Sequence, residues 1–184
     1  MPLYGGSVKE LKTNRLVLRS FTTEDAEFIF DMYSRWDVQR FIGRAPRVMA
    51  DASEARVLAD RYAAFEHPVL GIWAIADKTD GTLFGTLLLK PLPASGSETP
   101  LAPSDDIEIG WHLHPDAWGH GYASEAAQGV LAHAFSMGLG RVLAVTNKDN
   151  FASQAVAGRI GMSYAGRTRD YYNCECELFS IEPK

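Results

Sequence analysis

One stretch, Asp105 to Ala127, constrains this 184-residue chain more than any other. Ile107, Ile109, Trp111 and Leu113 recur at every second position, with Glu108, His112 and His114 between or beside them. That period predicts a strand over Asp105–His114 with one apolar face and Glu108, His112 and His114 on the other. Pro115 has no N–H to continue a ladder, so the strand should stop there. Trp118-Gly-His-Gly-Tyr-Ala-Ser-Glu125 follows, and Gly119 and Gly121 let the backbone turn with its amides pointing inward. Ala127, Val130, Leu131, Ala134 and Phe135 then fall at helical spacing, predicting a long helix to about Met137. The unpaired N–H groups and dipole at its start face the turn. Strand, glycine turn and helix N-terminus together compose an anion site made of backbone. Two familiar phosphate motifs are excluded. The Rossmann fingerprint needs a third glycine where Ser124 stands, and the phosphate-loop Gly-Lys-Ser/Thr is absent from the turn.

The surroundings of this segment mix strands and helices. Arg15–Arg19 alternates charged and apolar residues, and Thr22 or Thr23 should cap a helix striped with Ala26, Ile29, Phe30 and Tyr33. Asp51 and Glu54 open a second helix with Ala55, Leu58, Tyr62 and Phe65 inward, ended by His67-Pro68. Leu70–Ala76 and Leu83–Leu89 read as strands around the hairpin turn Lys78-Thr-Asp-Gly81. Four prolines between 91 and 104 predict a surface loop or lid. A strand at Arg141–Thr146, a helix at about Phe151–Ile160 and strands near Met162–Arg169 and Glu175–Ile181 complete the chain. No linker divides these elements, so one mixed α/β domain spanning 1–184 is expected.

Charge and cysteines narrow the function classes. A net charge of −5 does not favour nucleic acid or an anionic membrane as partner. No apolar run is long enough to span a bilayer, and Met1–Leu11 shows no secretory h-region, so a cytoplasmic chain is expected. Cys174 and Cys176, the two cysteines, make no disulfide framework; alternation along a strand would put them on one face as reduced thiols. Two strand histidines with only Glu108 nearby lack a convincing third ligand, so no metal is expected.

At these residues the chain resembles the GNAT superfamily of N-acetyltransferases, in particular its RimJ/RimL-like branch. The resemblance runs from Asn14-Arg-Leu-Val-Leu-Arg19 and Thr-Thr-Glu-Asp-Ala26 through Glu108-Ile-Gly-Trp111 and Trp118–Glu125. It closes with Asn150-Phe-Ala-Ser153 and Arg159-Ile-Gly-Met162. It implies a mostly antiparallel central sheet, splayed between its fourth and fifth strands and flanked by about four helices. It also implies acetyl-CoA as co-substrate. The pyrophosphate would sit on the amides of Trp118, Gly119, His120, Gly121, Tyr122, Ala123 and Ser124, and the pantetheine arm along Trp111, His112 and Leu113. Asn150 and Ser153 would complete the cofactor contacts. Asp116 stands where the family writes Arg or Gln, which removes one side-chain contact but no amide. The family strand often carries a bulge at this point, which would disturb the alternation that places Glu108.

Amine acetylation needs a neutral amine, a positioned thioester, a donor for the oxyanion and a proton for the departing thiolate. Ordinary amine pKa values lie well above neutrality, so a base is needed. Glu108 is the leading candidate, with His112 and His114 as rivals. The oxyanion donor would be a backbone N–H near Trp111 or His112. The tyrosine that many family members use as acid falls at Ala157 here, so Ser153 is the best substitute. Trp36, Phe41, Tyr171 and Tyr172 are candidate walls of the acceptor site. The acceptor itself, a protein N-terminus or a small-molecule amine, stays open, as does monomer or homodimer. An acyl-CoA-binding sensor and a non-catalytic interaction module are the alternatives.

Overall fold

The computed structural model describes residues 8–183, so Met1–Ser7 of the stretch read for a leader lie outside the described residues. One sheet holds eight strands in the order β1-β2-β3-β4-β5-β6-β8-β7. They are β1 (Leu11–Lys12), β2 (Leu16–Ser20), β3 (Gly71–Asp77), β4 (Leu83–Pro93), β5 (Pro103–Leu113), β6 (Val142–Thr146), β7 (Ser163–Thr168) and β8 (Cys176–Ile181). Every neighbouring pair is antiparallel except β5 and β6, which run parallel. The two-residue β1 is the strand the sequence pattern did not show; it pairs with β2 through Leu11↔Leu18.

Five helices flank the sheet: α1 (Ala26–Tyr33), α2 (Trp36–Gln39), α3 (Ala52–Ala63), α4 (Tyr122–Ser136) and α5 (Phe151–Arg159). Alternation along each strand splits the core in two. Leu16, Leu18, Trp73, Ile75, Leu87, Leu89, Ile109, Val142 and Ala144 pack with α4 and α5. Ile72, Ala74 and Leu88 face the other way, against Ile29, Met32 and Tyr33 of α1 and Ala55, Ala59 and Tyr62 of α3. Asp51 caps α3 by accepting from the N–H groups of Ser53 (2.8 Å) and Glu54 (3.4 Å). Glu54 reaches back to the Ala50 N–H (3.1 Å) instead of the cap's own N–H.

The loop expected at 91–104 is present over residues 95–102, but both of its ends are strand. Ladder pairing continues through Pro91↔Ile107, and after a register shift Pro93 meets Pro103. Prolines are tolerated because these strand ends lack a second neighbour: β3 leaves β4 at Leu89, before Pro91 and Pro93, and β6 joins β5 only from Ile107, after Pro103. The residues left outside the strands act as a clasp, not a lid. Ala94 bridges to Tyr171, and the Asn173 side chain both donates to Gly96 O (2.9 Å) and accepts from Gly96 N (2.8 Å). No bulge interrupts β5 between 107 and 113, where its register with β4 is unbroken. Glu108 therefore does lie on the face opposite Ile107, Ile109, Trp111 and Leu113.

Candidate active site

Past Glu108 the strands β5 and β6 part. β6 keeps its whole length on β8, from Val142↔Ile181 to Thr146↔Glu177, while β5 stays on β4. The parting leaves residues 109–113 without a ladder partner in β6. Which amides face the opening follows from antiparallel alternation. His114 N–H donates to Phe84 O (2.9 Å), so the N–H groups of His112 and Gly110 also turn toward β4. Ile109, Trp111 and Leu113 turn the other way, and Leu113 O accepts from Trp118 Nε1 (3.0 Å) on that side. Of the two oxyanion donors expected, Trp111 N–H faces the opening and His112 N–H is committed to β4.

The opening leads into the glycine turn. Gly119 and Gly121 both have φ of 79°, the left-handed region that side chains rarely adopt. A side chain at Gly119 would meet nothing within 4 Å, so backbone angle and not crowding selects glycine there. Gly121 is the N-cap of α4, and the turn residues Gly119, His120 and Gly121 are exposed. Glu125 locks the first turn of α4 to the turn between β1 and β2: it accepts from Thr13 Oγ1 (2.6 Å), Arg15 N (2.7 Å) and Arg15 Nε (2.7 Å). Tyr122 stacks on Phe84 with ring centroids 4.2 Å apart, and His120 stacks on Tyr122. Ala123 is buried and Ser124 lies 3.5 Å from Arg159 Nη1. Asp116 projects into solvent, with its side chain 91% exposed. The arrangement fits an anionic cofactor that is held by backbone N–H groups.

Glu108 is only 5% exposed, and two side chains converge on it. Lys90 Nζ, directly across the β4–β5 ladder, donates to Oε1 at 2.5 Å. Tyr172 donates its hydroxyl to the same oxygen and accepts from Lys90 Nζ (3.0 Å). Burial, and next the Glu108 charge, hold the Tyr172 phenol far above its ordinary pKa. The turn that delivers Tyr172 is unusual: Tyr172 and Asn173 have φ of 57° and 53°, a left-handed pair that costs roughly 1–2 kcal/mol per residue.

The remaining candidates fall in several places. His112 is on the Glu108 face, with Nδ1 2.9 Å from Tyr33 Oη, and burial, helped by the Lys90 charge, pushes its pKa down to about 4. It is therefore a neutral imidazole at neutral pH. His114 lies past the end of β5, where Nε2 is 3.0 Å from Asp31 Oδ2. Asn150 caps α5 as expected, accepting from Ser153 N–H (3.2 Å). Ala157 is fully buried in the core. Trp36 is 55% exposed on α2, and Phe41 is half-buried beneath the Arg40 guanidinium at 4.7 Å. Tyr171 corrects the expectation of an open wall. It packs on Leu92 and Leu143 and donates to Asp106 Oδ2 (2.7 Å), and burial with that bond pushes its pKa up to about 12. Cys174 also departs from the strand reading, since it precedes β8 in a turn, though its sulfur still lies 3.4 Å from that of Cys176.

Lys90 and Tyr33 were not singled out by the sequence reading. Lys90 carries a signal, a lone cation ending the apolar run Leu87-Leu-Leu89. Tyr33 reads only as one more helix-stripe residue, and nothing local tells that its hydroxyl meets β5. Among the described residues no cluster of three metal-ligating side chains forms, and no helix is long and apolar enough to cross a membrane.

Comparison with known proteins converges on one family. Residues 15–163 match the family model described as the acetyltransferase (GNAT) domain. The uncharacterised N-acetyltransferase YoaA of Bacillus subtilis is 32% identical over 163 residues, spanning 88% of this chain and 86% of the relative. Among solved structures, a GNAT-family acetyltransferase from Bacillus anthracis superposes with a TM-score of 0.75 at 22% identity, covering 95% of this chain and 98% of that one. RimL, a ribosomal L7/L12 α-N-protein acetyltransferase solved with coenzyme A, superposes with a TM-score of 0.72 at 18% identity, covering 95% and 98%. A sheet that opens between β5 and β6 onto a glycine turn, matched over most of the chain by this family, makes the protein a member of the GNAT acetyltransferases and an N-acetyltransferase.

Proposed function

We propose that this protein carries an acetyl group from acetyl-CoA to a primary amine, of a protein N-terminus or a small molecule, by direct attack while both are bound. One observation carries the reading: the edge of β5 without a ladder partner in β6, residues 109–113, runs straight into the Gly119–Gly121 turn. An extended arm needs backbone to pair with, and its pyrophosphate needs amides to rest on. Both lie in one line here.

In this reading the pyrophosphate rests on the amides of Trp118–Ser124 and the pantetheine arm lies along Trp111–Leu113, reached also by Asn150 and Ser153. Trp111 N–H donates to the thioester oxygen, whose charge grows as the amine nitrogen adds to the carbonyl carbon. Glu108, directly or through a water, takes the amine proton. Lys90 and Tyr172 fix its carboxylate in place. The carbon–sulfur bond then breaks, and Ser153 gives its hydroxyl proton to the thiolate. The acceptor enters over the α1–α3 face of the sheet, walled by Trp36, Phe41 and Tyr172. RimL acts on a protein α-amine, and the same class is the first acceptor to try.

The deciding experiment is acetyl-CoA turnover with a panel of N-terminal peptides and small amines, the acetylated product being identified by mass. One or more acceptors should turn over, and Glu108→Gln should lower kcat/KM by about 10²–10⁴. The same variant should flatten the rise of kcat/KM with pH that a base produces as it loses its proton. A variant with the wild-type profile removes Glu108 from the mechanism.

A further inference from the structure

Cys174 and Cys176 belong to no step above, yet they follow closely on Tyr172, whose hydroxyl donates to the Glu108 carboxylate. Their sulfurs are 3.4 Å apart, and the Glu108 charge is among the groups felt by Cys176. The two thiols differ in access. Cys176 is 6% exposed in β8, opposite Thr168. Cys174 is half-buried and lines a surface groove with Arg44, Ser95, Arg169, Asn173 and Glu175. Two arginines thus line the groove that Cys174 reaches; Arg169 is paired with Glu175 (2.9 Å), and Arg44 has no ion pair among the described residues. Between Cys174 and the Glu108 contact lies the left-handed pair Tyr172–Asn173, clasped by Ser95 Oγ and Gly96.

We propose that Cys174 and Cys176 form a reversible disulfide site, oxidised by anionic low-molecular-weight disulfides, that governs the seat of Tyr172 on Glu108. The groove sets the order of events. Cys174 Sγ attacks one sulfur of the small disulfide, whose S–S bond breaks, and the first small thiol leaves with a proton. Cys176 Sγ then attacks Cys174 Sγ, expelling the second small thiol with the other proton. Two protein thiols are oxidised and one small disulfide is reduced to two thiols. Burial pushes the Cys176 thiol up to about 12, which disfavours it as the first attacker and leaves it the second attack, where being intramolecular offsets poor acidity. Closing the sulfurs from 3.4 Å to a bond of about 2.05 Å draws on the turn that holds Tyr172, because Cys176 is fixed by its strand. A two-residue loop closed this tightly gives a labile disulfide, of the regulatory kind.

The effect on catalysis rests on the Glu108 reading; the thiol chemistry does not. Purified protein is treated with glutathione disulfide, which is anionic, or with cystamine, which is cationic. Glutathione disulfide should remove two hydrogens from the intact mass, link the Cys174 and Cys176 peptides, and act faster than cystamine. Arg44→Glu should abolish that preference. Cys176→Ser should trap a glutathionyl adduct at Cys174, and Cys174→Ser should not react. With acetyl-CoA and an N-terminal-serine peptide as probes, oxidation should slow wild-type transfer at least about tenfold, reversed by dithiothreitol, and leave Cys174→Ser unaffected. An unchanged mass, a wild-type adduct that persists without internal closure, equal rates with both disulfides, or full activity when oxidised would each overturn the proposal. The mass readout stands even if the peptide is not a substrate, so failure of the acceptor reading and failure of the thiol reading are told apart.

Discussion

Glycine at 121 is demanded by a backbone angle, since the nearest atom to a side chain there would be Arg15 Nη2 at 3.7 Å, an ordinary contact. Gly121→Glu should therefore fold with a local cost of about 1–2 kcal/mol and put a carboxylate at the proposed seat of the cofactor's phosphates. Its acetyl-CoA Kd should rise at least about tenfold by calorimetry, from strain and like charge together. At His112 the residue scale gives a pH prediction. Its folded pKa of about 4 lies below the ordinary 6.5, so between those values the unfolded chain binds more protons than the folded one. Stability from this group is complete above 6.5 and is lost as pH falls toward 4, by up to about 3 kcal/mol. His112→Asn should shrink the loss of urea midpoint between about pH 7 and pH 4.5 relative to wild type. An equal loss in both proteins would mean that His112 takes up its proton normally.

Strand pairing sets the element scale, and β4–β5 is the pair on which everything at the site depends. A methyl group on Gly85 would lie 2.2 Å from His112 O and 2.9 Å from Leu113 Cα, both backbone atoms that cannot step aside. Gly85→Ala should push the strands apart beside the site and cost more than about 3 kcal/mol, seen as a fall in Tm of roughly 6–12 °C. The alternation that places Glu108 and His112 on one face, opposite Ile107 and Ile109, was legible in Ile107–Leu113, because a period of two is a property of the strand itself. The prolines at 91, 93 and 103 hid the strand ends on either side of the loop: proline is excluded from a fully paired strand, but β4 has no β3 partner past Leu89 and β5 no β6 partner before Ile107. The four-residue α2 and two-residue β1 are too short to carry a period at all.

For the whole molecule, the proposed cofactor site is built on the one central sheet, so cofactor binding should stabilise the fold as a unit. Acetyl-CoA at about 100 times its Kd should add about 2.7 kcal/mol and raise Tm by roughly 5–10 °C. No shift at millimolar acetyl-CoA would remove the cofactor reading altogether. Net charge says little about this, because −5 is spread over the surface while the turn offers amides. By itself the sequence determined the strand–turn–helix of 105–137, the mixed α/β architecture and the family, since each rests on local period, glycine placement or motif order. The resemblance implied the splay; the tertiary structure alone decided that β5 and β6 part directly after Glu108, that Trp111 and not His112 turns its amide to the opening, and that Lys90 and Tyr172 close on Glu108. Those facts belong to pairing and to contacts between residues far apart in the chain, 82 positions for Lys90 and Tyr172. No local pattern encodes them, because ladder register and the path of a turn are settled only when the whole sheet assembles.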